Sequence, residues 1–326
     1  MLATAGAALA ASATGADAAS GEGLRLVTFE RKDQPGARIG VALAGDRVVD
    51  LVAARQGGAS MAFDPADMVS LIAAGAPALA QARAIAAKPA ATLALADIRL
   101  HSPIPRPQRN IYAVGWNYLE HFAESETAKK AAQSYPEHPV FFTKGTHTMN
   151  GPFDPIPFDP AVSTLIDWEG ELAVVIGKRG RNIKEAEAMD YVFGYSVIND
   201  TTARDVQSKK HGGQWFKGKS LDGHGPMGPW IATADGLDPS DLHLVTRVNG
   251  VVKQDARTSQ MYFKIPRIIA ELSLGLTLEP GDVIATGTPP GVGNARKPPE
   301  YLKPGDVMET EISGIGLIRN EIKQVA

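Results

Sequence analysis

Apolar residues in this chain fall in short, strand-length runs separated by glycine, proline and charged residues, and only a few stretches carry helical spacing. Near the start, Leu24–Phe29, Arg38–Leu43 and Arg47–Asp50 read as strands, with Gly45-Asp46 as a hairpin turn. Met68 to Ala74 reads as a short helix with Met68, Leu71 and Ile72 on one face. Gly75-Ala-Pro77 interrupts it, and Pro77 opens a second helix to about Ala87. The proline-punctuated stretch from His101 to Gln108 reads as a linker, because each proline removes a donor and restricts the residue before it. Strands dominate beyond it: Asn110–Val114, Val140–Thr143, Glu171–Ile176, Tyr191–Ile198, Leu244–Val248, Val283–Thr286, Val307–Ile312 and Leu317–Ile322. Helices are expected chiefly over Tyr118 to Gln133 and Ile265 to Leu272. The string Leu-x-Pro-Gly-Asp-Val occurs twice, at Leu278–Val283 and Leu302–Val307, and Pro-Gly at the centre predicts a type II turn into a strand each time. The pattern predicts a β-rich α+β protein, with a small accessory domain over 24–100 and a catalytic domain over 101–326.

Composition narrows the chemistry. The 326 residues carry 33 basic and 36 acidic side chains and no cysteine. Disulfides, thiolate metal sites and cysteine nucleophiles are therefore excluded. No block of like charge provides a footprint for nucleic acid or an anionic membrane, so neither is expected as a partner. Residues 1–23 are alanine-rich. They read either as a disordered tail or as the remnant of an export signal whose basic start is missing. Localisation follows that choice: cytoplasmic by default, periplasmic if the segment is a signal.

The segment Thr164–Gly177 holds the sharpest signal. On a strand, a period of two puts Asp167, Glu169 and Glu171 on one face. A solvated edge strand is the plain alternative. These acids, however, run straight into Leu-Ala-Val-Val-Ile, and buried carboxylates need a partner. A hard cation would serve, with Asp200 at the end of the apolar run Gly194–Asn199 as a further ligand. Asp200 alone would read as a helix N-cap. Carboxylate ligation favours Mg²⁺, Mn²⁺ or Ca²⁺ over zinc or copper. On a helix His121 and Glu124 share a face, so the carboxylate could orient the imidazole as a general base, or the two form an ordinary surface pair. The polar run from Ser125 to Gln133 suggests a lid. Phe216–Asp222 offers Lys217 and Lys219, neither singled out by spacing. Thr286–Gly293 is no P-loop, but its hydroxyls and N–H groups could cradle a carboxylate. The other histidines show no metal spacing and read as scattered loop or surface residues.

Eight segments in order resemble the fumarylacetoacetate hydrolase family, in its acylpyruvase-like and 2-hydroxyhepta-2,4-diene-1,7-dioate isomerase-like branch. They are VGWNYLEHFAE, PVFFTKGTHT, IDWEGELAVVIGK, DYVFGYSVINDTTARDVQ, KGKSLDGHGPMGPWI, VNGVVKQDARTSQMYF, LEPGDVIATGTPPGVG and LKPGDVMETEISGIGLIRN, spanning about residues 108 to 323. The resemblance implies the family's mixed β-roll, assembled as a homodimer or higher oligomer. It implies Mg²⁺ or Mn²⁺ on Glu169, Glu171 and Asp200, which leaves Asp167 out of the ligand set. Lys219 falls on the active-site lysine, Gln207 on a substrate-contacting glutamine, and Thr288, beside Gly287, on the threonine near the substrate carboxylate. His121 and Glu124 fall on a lid dyad. Trp116 and Arg257 depart from the family pattern and touch only substrate identity. The implied activity is metal-dependent hydrolysis of a C–C bond in a 2,4-dioxo acid through a stabilised enolate. A decarboxylase, hydratase or isomerase of 2-oxo acids on the same site is the alternative, and a binding protein with a structural metal is a rival of another class.

Overall fold

The computed structural model describes residues 23–124 and 135–325. The alanine-rich tail up to residue 22, the expected lid from Ser125 to Gln133 and that part of the expected helix lie outside the described residues.

The strands that carry the architecture are β1 (Arg25–Arg31), β2 (Gln34–Leu43), β3 (Arg47–Asp50), β4 (Ile98–Leu100), β5 (Ile111–Gly115), β6 (Val140–Lys144), β7 (Ile156–Phe158), β8 (Gly170–Ile176), β9 (Val192–Asn199), β10 (Gly225–Thr233), β11 (His243–Val248), β12 (Val251–Arg257), β13 (Val283–Ala285), β14 (Val307–Ile312) and β15 (Gly316–Gln324). The helices are α1 (Leu51–Gln56), α2 (Met68–Ala87), α3 (Leu119–Glu124), α4 (Arg204–Lys209), α5 (Phe216–Lys219) and α6 (Ile265–Ser273).

The larger sheet runs in the order β3-β2-β1-β10-β9-β8-β13-β5-β6. All its neighbours are antiparallel except β13 and β5, which run parallel. A second sheet runs β12-β11-β14-β15-β7. The fold is the β-rich mixed architecture the hydrophobic pattern indicates. Strands β1 to β3 hydrogen-bond into the same sheet as the later strands, through Arg25 opposite Ala232 and Leu26 opposite Ile231.

Strand β8 sits inside the large sheet, between β9 and β13, and every residue of it is buried. Its alternation feeds two cores: Leu172, Val174 and Ile176 join one cluster, Ala173 and Val175 the other. Each leucine, valine and isoleucine among them contributes on the order of 1.5–3 kcal/mol by leaving water. An edge-strand reading of its acids is thereby excluded. The continuous strand expected from Asp167 to Glu171 is interrupted, however. Ile166-Asp167 pairs with Thr202-Ala203, and regular pairing resumes only at Gly170.

Both Pro-Gly turns have the expected form. Gly281 (φ 87) and Gly305 (φ 90) take the left-handed backbone that glycine tolerates. The N–H groups of Asp282 and Asp306 donate to the carbonyls of Glu279 and Lys303, 3.1 and 3.0 Å away. α2 is long and apolar enough by composition to span a membrane. It breaks at Gly75 (φ 61, ψ −138), and Leu71, Ile72, Ala78 and Ala82 pack into the core. The sequence pattern misses the short strands β4 and β7 as well as β10 and β12.

Candidate active site

The site lies where the end of β9, the start of β8 and the short helices α4 and α5 meet. Glu169, Glu171 and Asp200 are each no more than 5% exposed, and one oxygen from each falls within 4.8 Å of the others. The backbone welds the cluster together: the Asp200 N–H donates to Glu169 O at 2.8 Å.

Three side-chain cations surround these acids. Lys219, at the end of α5, lies 2.5 Å from Glu169 Oε2 and 2.7 Å from Asp200 Oδ2. Lys144, fully buried at the end of β6, lies 2.7 Å from Asp200 Oδ1. Arg204 opens α4 and bridges Glu169 Oε1 and Asp167 Oδ2, both at 2.7 Å. Burial alone would raise the pKa of Glu169, but Lys219 and Arg204 outweigh it and hold it near 2. Glu171 is different. Burial first, then the charges of Asp200 and Glu169, push its carboxyl well above the usual range. Among the described residues no ammonium or guanidinium pairs with it, and it accepts the Gly287 N–H at 2.7 Å. Burial lowers the pKa of Lys144 despite Asp200, whereas for Lys219 the two carboxylates outweigh burial and raise it.

Asp167, on the same face in the sequence pattern, is fully occupied elsewhere. It accepts the N–H groups of Trp168, Gly293 and Asn294 at 2.8, 2.7 and 3.0 Å, in addition to Arg204. Its role is to pin the loop after Thr288 against Arg204.

A cavity of about 480 Å³ opens on these groups, and His121, Glu124, Gln207, Lys219 and Thr288 share its walls. His121 Nδ1 lies 2.9 Å from Glu124 Oε1, and Glu124 also accepts the Gly291 N–H at 2.9 Å. The pair is therefore held inside the molecule rather than on the surface. Gln207 Oε1 accepts from Arg204 at 3.1 Å. Thr288 donates to Gly170 O at 3.0 Å and accepts from Gln254 at 2.7 Å. Gly287, expected near a substrate carboxylate, gives its N–H to Glu171 instead. The glycine-rich loop does cradle carboxylates, but they are the protein's own: Glu171, Glu124 and Asp167.

Trp116 and Trp215 form an aromatic wall, their rings 5.0 Å apart. Trp116 holds a left-handed φ of 54°, uncommon for a bulky residue. A Cβ on Gly115 would lie 2.6 Å from the Trp215 ring, so glycine there lets the indole approach. Arg204, Lys144 and Trp215 are not singled out by sequence reasoning, and Trp116 enters it only as a departure from the family pattern. The one available signal was Lys144 closing the apolar run of β6, where a lysine must be buried with an anion.

The family model for the fumarylacetoacetate (FAA) hydrolase C-terminal domain matches residues 110–323. The chain belongs to the fumarylacetoacetate hydrolase family. Among its curated relatives, the mitochondrial oxaloacetate tautomerase fahd2 of Xenopus laevis is 42% identical, covering 92% of this chain and 90% of that protein. The oxaloacetate tautomerase YisK of Bacillus subtilis is 41% identical over 87% and 95%. Of solved structures, a fumarylacetoacetate hydrolase from Exiguobacterium antarcticum aligns with a TM-score of 0.78 at 40% identity, covering 93% of this chain and all of that one. A maleylpyruvate hydrolase from Sphingobium, in complex with manganese(II) and pyruvate, aligns at 0.73 and 31% identity over 93% and 100%.

In this member of the family the acids fit a divalent cation on their own chemistry. The donors are oxygen only, buried and convergent, and Glu171 lacks a cationic side-chain partner among the described residues. Such a set suits a hard ion of the Mg²⁺, Mn²⁺ or Ca²⁺ type.

Proposed function

We propose that this protein interconverts the keto and enol forms of a dicarboxylic 2-oxo acid of the oxaloacetate class, with Mg²⁺ or Mn²⁺ held by Glu169, Glu171 and Asp200. The observation that carries the reading is one cavity walled by a carboxylate-oriented imidazole, a buried lysine and two of the three acids, Glu169 and Glu171. The names of the two curated relatives support it.

The bound cation would draw electron density toward the 2-oxo oxygen. The chain's own groups do the rest. Glu124 accepts from His121 Nδ1–H, which leaves Nε2 with the lone pair, free to take a proton. That proton leaves C3 of the keto acid, and the C–H electron pair becomes the C2=C3 double bond. The carbonyl π pair passes to the 2-oxo oxygen, which then takes a proton; nothing else is exchanged. Lys219 adds positive charge where the oxygen becomes negative. Trp116 and Trp215 give the cavity an apolar wall.

The test is the decay of enol-oxaloacetate absorbance with Mg²⁺ or Mn²⁺ present. Acceleration over buffer is expected, and His121→Ala should cut it roughly 10²–10⁴-fold with metal affinity intact. No acceleration by the wild type would sink the reading. A second reading is C–C hydrolysis of a 2,4-dioxo acid, favoured by the relative that holds manganese and pyruvate. There His121 would take its proton from water. Release of two acids from an acylpyruvate, with no effect on enol-oxaloacetate, would favour it.

A further inference from the structure

We infer that Arg296 binds the second carboxylate of the substrate and so selects dicarboxylic over monocarboxylic acids. The inference rests on the proposed 2-oxo acid reading and extends it to a residue outside the acids, the lysine and the His–Glu pair.

Arg296 and Lys297 line the same cavity as Glu169, Glu171 and Lys219. The Arg296 guanidinium is largely unspent. One terminal nitrogen donates to Lys253 O at 2.8 Å. Its Nε is buried and has no hydrogen-bond partner among the described residues. The other terminal nitrogen is 3.8 Å from Glu300, whose carboxylate is already held by Lys253 Nζ at 2.5 Å. The planar group sits 5.9 Å from the Trp168 ring, which limits its rotation. The terminal nitrogens keep N–H groups that a carboxylate in the cavity can meet with charge-assisted bonds.

Its placement relative to the acids is also built in. Glu169 is bound by Arg204, Arg204 by Asp167, and Asp167 by the N–H groups of Gly293 and Asn294, two residues before Arg296. The loop bearing Arg296 is thus referenced to a cation ligand through two charged links. Charge supports the same assignment. Around the inner site five carboxylates (Glu124, Asp167, Glu169, Glu171, Asp200) face three cations (Lys144, Arg204, Lys219). A divalent ion makes that inner site neutral. A dianionic substrate then needs two further positive charges on the cavity wall, and among the described residues that line it Arg296 and Lys297 supply them.

The experiment compares two stable acids that differ by one carboxylate. L-Lactate and L-malate are titrated calorimetrically into the Mn²⁺-loaded wild type, R296Q and R296K. The wild type should bind malate at least ten-fold more tightly than lactate. R296Q should lose malate affinity on the order of 10- to 100-fold, the loss expected for a charge-assisted bond, with lactate within two-fold. R296K should recover part of the difference. Equal wild-type affinity for the two acids, or an equal loss of both in R296Q, would overturn the inference. Because no turnover is measured, an enzyme inert toward oxaloacetate refutes the proposed reaction without deciding this binding result. Thermal melts of the variants check folding; the Arg296 side chain is 29% exposed.

Discussion

Lys219→Met tests how the buried charges are balanced. The methionine keeps the length and apolar bulk but removes the one ammonium that spans Glu169 and Asp200, at 2.5 and 2.7 Å. Breaking a buried ion pair from one side costs about 3–5 kcal/mol. Here the lower end applies, because Glu169 keeps Arg204 and Asp200 keeps Lys144, each at 2.7 Å. Unfolding entropy of about 2.1 cal/mol/K per residue makes each kcal/mol worth roughly 1.5 °C in a chain of this length. The metal-free variant should therefore melt about 5 °C below the wild type. Mn²⁺ should then act in the opposite sense. In the wild type the ammonium already offsets part of the charge on two of the three acids and must be displaced or tolerated; in the variant the acids have more to gain from the ion. At a thousand times its Kd a ligand adds about 4 kcal/mol, and the Mn²⁺-induced rise in melting temperature should be larger in the variant. Scanning fluorimetry with and without Mn²⁺ reads both effects. An unchanged metal-free melting temperature, or a smaller Mn²⁺ shift than in the wild type, would refute the idea that Lys219 is the counter-ion of this cluster.

Other substitutions probe separate parts of the fold. Glu169→Ala should abolish saturable Mn²⁺ binding in calorimetry, and retained wild-type affinity would remove it from the ligand set. His224 donates one bond, from Nε2–H to Pro157 O at 2.8 Å, and burial pushes its pKa down to about 4. Below pH 6.5 the unfolded chain takes up a proton that the fold refuses, so stability should fall from pH 6.5 toward pH 4 and not change on this account above that window. The loss is about 2 kcal/mol by pH 5 from 1.36 kcal/mol per unit; denaturant melts of His224→Gln should lack that slope, and a slope equal to the wild type's would contradict it. Gly115→Ala puts a Cβ 2.6 Å from the Trp215 ring. An overpacking cost of about 1–3 kcal/mol and a raised KM are expected, and wild-type values for both would mean the indole is free to move.

What could be read from the sequence divides along physical lines. Glu169 and Glu171 were legible because charge abutting five apolar residues is costly unless compensated, and that conflict is local. Their balance was not, since Lys144, Arg204 and Lys219 come from three distant segments and only the folded chain brings them to one cluster. The same limit made Asp167 look like a ligand: its partners Gly293 and Asn294 lie more than 120 residues away. His224, read as a loop or surface histidine, is in a loop but buried, a matter of what packs over it. Strand β10 was hidden because GPMGPWIAT is broken by two prolines and two glycines, yet it forms between β9 and β1 with every residue buried. For β12 the signal was present. Asn249 and Gly250 both take positive φ (52° and 78°), the two-residue hairpin device, and Val248 pairs with Val251 across it. The polar run that follows is what a strand at the outer edge of a sheet carries, so its low hydrophobicity argued against a strand only if both faces were assumed buried.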